Sequence, residues 1–429
     1  MARNTALLTL YKIEYEGAYS NIELKNMLAA SELSKKDKAL ATALVYGVLQ
    51  RDYTLECIIS EFSSVKIKKI SKYILLILKL GIYQLLYMDK IPESAAVNES
   101  VKLAKKYGAK STGFVNAVLR NISRKGISEP KDRLLQIAFD YSFPKELAKE
   151  WIDEFGEKDA CGLMSAMNEI APMCVRVNTL KANADELLMT LPGAKKGKIS
   201  KCALITDGFD VAQSNEYNQG LITVQDEAAM LACEILEPKP GECIMDLCAA
   251  PGGKSTYIAQ LMNNSGKVLS FDIHKHKIKL IEENAERLGI DIISAAVGDA
   301  CVFDEKYKEC ADRIIADVPC SGLGIIRKKP ELKMHYKKNN NLSEIQYKIL
   351  ANAGRYLKPG GVLVYSTCTI ERCENEDVVE KFLKDNDDFE AVNIEKYLPK
   401  ETAKKGYVTL YPNIDGTDGF FMAKLKKVR

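Results

Sequence analysis

A chain of 429 residues that is 47% hydrophobic and 28% charged has the length for two or three packed domains and the mixture of a globular protein, not a fibrous or disordered one. Its 61 basic and 58 acidic residues nearly cancel, but residues 1–140 hold 22 Lys+Arg against 14 Asp+Glu, leaving 39 against 44 for the rest. Residues 101–128 carry seven basic side chains and no acid, which suits a polyanionic partner, although a solvated helix face would look similar. The twelve cysteines lack a small-scaffold spacing, and ARNTALLTLYKIEYEG has no apolar region of signal type, so reduced thiols and a cytoplasmic location are expected. Three histidines and no C-x-x-C pair argue against a metal. The most apolar run, residues 73–87 with Lys79 inside it, is too short to span a bilayer and reads as a buried helix, so no membrane is expected.

In chain order, residues 1 to about 125 repeat apolar residues at three- and four-residue intervals without strand alternation, which predicts an all-α domain over 1–130. AAVNESVKLAKKYG and GFVNAVLRNI resemble the closing helices of the NusB-type helical RNA-binding module, a likeness covering this whole domain. A linker is expected around Gly126 to Asp140. Next comes YSFPKELAKEWIDEFGE, with Pro144 at a helix start and Trp151 expected in the core. Over 140–225 the pattern turns mixed, with strands CVRVNTL, CALIT and GLITV between short helices, which predicts a small α/β connecting module. Its Arg176 and the basic run at 195–201 could grip RNA phosphate or belong to a solvated loop.

From 226 to 429 strands and helices alternate. The strands CIMDLC, KVLSFDI, IISAAVGD, RIIADV and GVLVYST predict a Rossmann-like, mostly parallel doubly wound sheet with an antiparallel edge from FEAVNI, YVTLYP and GFFMAKLKK. In IMDLCAAPGGKSTYIA an apolar run meets an acid, a small-residue turn and a helix, the geometry of a nucleotide-type pocket. Four acids, Asp246, Asp272, Asp299 and Asp317, are expected to face one crevice from the strand ends. Only 18 residues separate Asp299 from Asp317, which predicts a connection without a full crossover helix. GGKST followed by RIIADV imitates a phosphate loop, so an NTPase acting on RNA is one alternative; a non-catalytic RNA-binding assembly factor is another.

Cys320 in DVPCSGLG and Cys368 in YSTCT close strands at the same sheet edge, which would bring two thiols to the mouth of the crevice. Cys373, in ERCENE, is either a partly activated thiol or structural. The residues alone leave open which of the first two would attack a substrate.

Together DLCAAPGGK, FDIHKHK, GDA, DVPCSGLG, YSTCT and GFFMAKL resemble the motifs of the S-adenosylmethionine-dependent RNA cytosine carbon-5 methyltransferases, and with a NusB-like domain in front the chain is similar to the branch acting on bacterial 16S rRNA. One departure lies in IIRKKPELKMHY, where relatives commonly carry Trp and this chain has Met334 or His335. The resemblance implies S-adenosyl-L-methionine as cofactor, RNA as partner, naked or within a ribosomal assembly particle, and a monomer. It assigns the attack on carbon-6 of cytosine to Cys368 and assistance in release to Cys320. By the same likeness Cys248, Ala249, Ala250, Pro251, Gly252, Gly253 and Lys254 cradle the methionine end, Asp272 holds the ribose, Asp299 the adenine amino group, and Asp317 bonds the cytosine ring and lines the cofactor site. Arg327, Lys328 and Lys329 would contact RNA phosphate, and Lys277 would support the pocket or lie solvated on its helix.

Overall fold

The computed structural model describes residues 1–336 and 341–429. The chain forms two compact units: Met1–Ile170 together with Ile326–Tyr336, and Ala171–Ile325 together with the described residues from 341 onward.

The first unit is all helical. Ala2–Glu16, Ser20–Ala29, Lys35–Gln50, Asp52–Phe62, Lys72–Tyr87, Glu93–Tyr107 and Thr112–Lys125 surround an aliphatic core that includes Leu7, Leu44, Leu76, Val118 and Leu119. The apolar helix Lys72–Tyr87 is central, as its composition required, and its buried charge, Lys79, is matched by Glu14 at 3.3 Å, Glu56 at 3.0 Å and Asp52. Burial pushes the Glu14 carboxyl up to about 8. The expected linker is half filled: Arg133–Tyr141 is a helix, started by Asp132, whose side chain accepts the Leu135 N–H. Lys145–Phe155 follows Pro144, and Trp151 is fully buried against Phe143.

The late segment Ile326–Tyr336 belongs to this helical unit. Glu331 is buried and accepts the Ser20 N–H at 3.0 Å. Lys333 is buried over the Phe143 ring and donates to the Gln50 carbonyl at 2.9 Å and to Asn168 Oδ1 at 3.0 Å. Without a carboxylate among these contacts, burial and then Arg51 pull its ammonium down to about 7. Between pH 7 and the usual lysine value the unfolded chain therefore binds more protons, and stability gained from Lys333 rises with pH. Denaturant titrations of the full chain and Lys333→Met should show native minus variant stability increasing by roughly 1–3 kcal/mol from pH 7 to pH 10; a flat or falling difference would contradict this.

The second unit opens with an antiparallel sheet of β1 (Met173–Val177), β2 (Lys195–Lys196), β3 (Ala203–Thr206) and β4 (Ile222–Val224), ordered β2-β3-β1-β4. A larger sheet follows, of β5 (Cys243–Asp246), β6 (Lys267–Asp272), β7 (Ile293–Val297), β8 (Ala311–Asp317), β9 (Leu357–Thr367), β10 (Phe389–Ala391), β11 (Tyr407–Leu410) and β12 (Phe420–Lys427). Its order is β10-β12-β9-β8-β5-β6-β7, with β11 beside β12. The five strands β5 to β9 are parallel, and β12 pairs antiparallel with β9. The connection from β7 to β8 holds only the short turn of helix Glu305–Tyr307. Because β6 lies on one side of β5 and β8 on the other, the strand order reverses at β5, and the carboxyl ends of β5 and β8 flank the crevice where such sheets take ligands.

Candidate active site

The loop after β5 is shaped by small residues. Ala249 donates its N–H to the Phe271 carbonyl at 2.7 Å, and Gly252, at φ +102°, turns the chain into the helix Gly253–Leu261. A side chain at 252 would meet Ile281 Cα at 3.2 Å in a backbone conformation that favours glycine, so this position admits little else. Cys248 and Ala250 line a cleft of about 350 Å³ with Asp272, Asp299, Asp317, Cys320 and Cys368. Lys277 lies on its wall too. Ala249, Pro251, Gly252, Gly253 and Lys254 are not among the residues that line it. Each of two acids is fixed by a backbone N–H two residues on: Asp272 by His274 and Asp299 by Cys301, both at 2.9 Å.

Asp246 does not join them. It is buried, accepts from the Ser255 hydroxyl at 2.6 Å, and is pushed up to about 6 by burial, so three acids, not four, face the cleft. Asp246, Asp272 and Asp317 each end their strands, but the Asp246 carboxylate is taken up by Ser255 of the helix that follows.

Lys254 ion-pairs with Asp317 at 2.6 Å; burial lowers its pKa, but the adjoining carboxylate outweighs this and the net shift is upward. The other Asp317 oxygen accepts from Ser366 at 2.9 Å. A phosphate-loop lysine must present its ammonium to a nucleotide, and this one is committed to a neighbouring strand, which disfavours the NTPase alternative.

The thiols meet. Cys320 Sγ and Cys368 Sγ stand 3.1 Å apart although 48 residues separate them. Strand register explains it: Asp317 lies opposite Ser366 on the parallel pair β8–β9, and each cysteine comes just beyond its strand end. The next residues clasp, Ser321 Oγ to Thr369 Oγ1 at 2.7 Å. Glu374 accepts the Ser321 N–H at 3.0 Å and the Gln346 amide at 2.8 Å, and the same amide holds the Pro319 carbonyl at 3.0 Å. Gly324 donates to the Cys368 carbonyl at 3.0 Å and itself packs on Gly419 of GFFMAKL, whose N–H it accepts at 2.8 Å. The hydrogen bond with Cys368, then burial, push the Cys320 thiol well up from its ordinary value. Cys373 is no activated thiol: burial and nearby acids raise it to about 11.

Two expected RNA contacts fall away. Arg176 is fully buried and Arg327 is 8% exposed, so neither reaches a solvated phosphate. Lys329 lies over the Tyr19 ring. Lys195, Lys196 and Lys198 of the basic run are exposed, Lys196 paired with Asp185 at 2.7 Å. Glu374, Gln346, Ser321 and Thr369 escaped the sequence reading; the adjacency of Ser321 and Thr369 to the two cysteines was the available signal.

A family profile described as 16S rRNA methyltransferase RsmB/F matches residues 233–426, that of the NusB family matches 1–124, and that of an RsmF/B-like ferredoxin-like domain matches 143–221. The probable ribosomal RNA small subunit methyltransferase B of Bacillus subtilis (strain 168) is 40% identical, covering 99% of this chain and 98% of its own length. The chain belongs to the RsmB/F family of 16S rRNA methyltransferases. The ribosomal RNA small subunit methyltransferase B of Vibrio vulnificus (strain YJ016) is 31% identical over 99% of both chains. Among solved structures, PH0851 matches with a TM-score of 0.87 and 27% identity over 99% of this chain and 97% of its own. A methyltransferase homolog protein from Pyrococcus horikoshii matches with a TM-score of 0.61 and 31% identity, covering 70% of this chain and all of its own. The RsmB/F family member described here is thus an S-adenosylmethionine-dependent rRNA methyltransferase with a NusB-type helical N-terminal region and a Rossmann-like catalytic sheet. Among the described residues no group of His, Cys, Asp and Glu could hold a metal ion, and no helix is long and apolar enough to cross a membrane.

Proposed function

We propose that this RsmB/F family member methylates carbon-5 of a cytidine in small-subunit rRNA through a covalent bond from Cys368, as a cytoplasmic monomer, on rRNA that is naked or partly assembled. The observation that carries this is the pair of thiols 3.1 Å apart in the cleft that Cys248, Ala250, Asp272 and Asp299 also line.

The residues fit the cofactor. Small side chains at 248–250 leave the backbone accessible ahead of a helix N-terminus, and two fixed carboxylates suit the ribose hydroxyls (Asp272) and the adenine amino group (Asp299). S-adenosyl-L-methionine supplies an electrophilic methyl group when bound. Carbon-5 of cytosine is a poor nucleophile, and the chain's task is to make it a good one.

Cys368 does this as a thiolate by bonding to carbon-6, which displaces the ring's electron pair toward carbon-5 and nitrogen-3. Asp317, held by Lys254 and Ser366, would accept hydrogen bonds from the exocyclic amino group and from nitrogen-3 once that nitrogen takes a proton from solvent, which offsets the charge developing on the ring. Once carbon-5 is methylated, its proton leaves to solvent, the ring double bond re-forms and the sulfur–carbon-6 bond breaks. Cys320, retaining its own proton, hydrogen-bonds the departing Cys368 thiolate. The base must be unpaired or flipped for Cys368 to reach it.

RNA containing 5-fluorocytidine blocks loss of that proton, so incubation with cofactor should leave a denaturant-stable RNA–protein adduct whose peptide map ends at Cys368. On ordinary RNA, Cys320→Ala should accumulate an adduct that the native enzyme does not. A map ending at Cys320 would reverse the two roles, and no adduct with either RNA would favour an RNA-binding protein without this chemistry.

A further inference from the structure

Arg176, on β1 of the small sheet, is among the largest fully buried side chains. Its guanidinium reaches the loop after β5. One amino group donates to the Gly253 carbonyl at 2.8 Å and to Gln225 Oε1, the other to Thr256 Oγ1 at 3.1 Å, and the group lies 4.8 Å from the centre of the Tyr257 ring. No carboxylate pairs with it among the described residues. Burial lowers its pKa only to about 10, so it remains a cation at neutral pH.

A buried, uncompensated cation costs stability, and this one sits where it costs most, against the first turn of Gly253–Leu261, whose free N–H groups already present positive charge. Among the described residues two donors here have no partner, the guanidinium's own Nε and the neighbouring Gln225 Nε2, and Gln225 Nε2 comes within 4.0 Å of where a Gly253 Cβ would stand. Positive potential and unspent donors thus converge on one helix terminus. An anion bound there would offset them.

We propose that Arg176 is a positioning residue for the cofactor loop: it fixes the first turn of the helix through Gly253 and Thr256 and biases that turn toward the carboxylate of the cofactor's amino-acid end. This rests on the cofactor lying in the cleft as set out above. Arg176 does not touch the carboxylate in this reading; it holds the groups that do and adds charge behind them.

The test compares two probes on the full chain: S-adenosylhomocysteine, which has the amino-acid end, and 5′-methylthioadenosine, which lacks it. Arg176→Met should weaken S-adenosylhomocysteine by about tenfold or more in calorimetry and leave 5′-methylthioadenosine within about twofold, and Arg176→Lys should recover part of the loss. An equal loss of both probes would mean a merely structural residue and overturn the proposal, as would no loss of either. Should Arg176→Met fail to fold, Thr256→Val removes one anchor with the charge kept; it should weaken S-adenosylhomocysteine selectively by a few fold, and an unselective effect overturns the proposal equally. If the native chain bound neither probe, the placement of the cofactor, and not the role of Arg176, would be at fault.

Discussion

Replacing Cys368 with alanine is expected to lower methyl transfer to rRNA by at least about 10³-fold, because the step that makes carbon-5 nucleophilic has no other agent within bonding reach. Cys320 stands only 3.1 Å away, but its contact with Cys368 and burial push its thiol up, and a thiol is a far weaker nucleophile than a thiolate. Affinity for S-adenosylhomocysteine should change less than threefold, since the Cys368 side chain serves the base and not the cofactor cradle. Transfer of labelled methyl to rRNA and calorimetric titration measure the two quantities. Retained transfer in Cys368→Ala together with its loss in Cys320→Ala would show that the attacking sulfur is the other one.

Asp317→Asn is expected to lower transfer by about 10²–10³-fold, the usual consequence of removing one group that stabilises developing charge. It also strips Lys254 of its counterion, at 2.6 Å. An ammonium left buried without a partner costs on the order of 3 kcal/mol, so the unfolding midpoint should fall as well. Adding Lys254→Met to Asp317→Asn separates the effects: stability should return, because the orphaned charge is gone, and activity should not. If activity returned with stability, the carboxylate would matter only as a partner for Lys254.

The parts of this protein that could be read from its residues are those written within a few positions of one another. DVPCSGLG and YSTCT each place a cysteine just past a strand, and parallel strands share their carboxyl edge, so the meeting of the thiols followed from pattern alone. The missing crossover helix followed from counting between Asp299 and Asp317. Features that depend on distant partners were hidden. Arg176 looks like a surface contact until the loop 77 residues later is seen to wrap its guanidinium. Asp246 resembles its three fellow acids, and a sequence does not say that its carboxylate turns under the helix toward Ser255. Arg133–Tyr141 was masked by the polar SEPKD before it, although Asp132 is a good start signal. The burial of Glu331 and Lys333 in the helical unit could not be anticipated from a stretch whose charges suggested an exposed phosphate-binding loop.

That last segment sets a timetable for the ribosome making this chain. The helical unit is the first to be synthesised, yet Glu331 and Lys333, which satisfy groups from Ser20, Gln50 and Asn168, emerge only after the small sheet and β5 to β8 have been translated. At the usual pace of about 5–20 residues per second, the nascent bundle waits roughly ten to thirty seconds for its closing piece. Cutting the gene after Ile170 therefore yields a bundle short of one of its own parts, and a shortened catalytic fragment would carry that part with nothing to receive it.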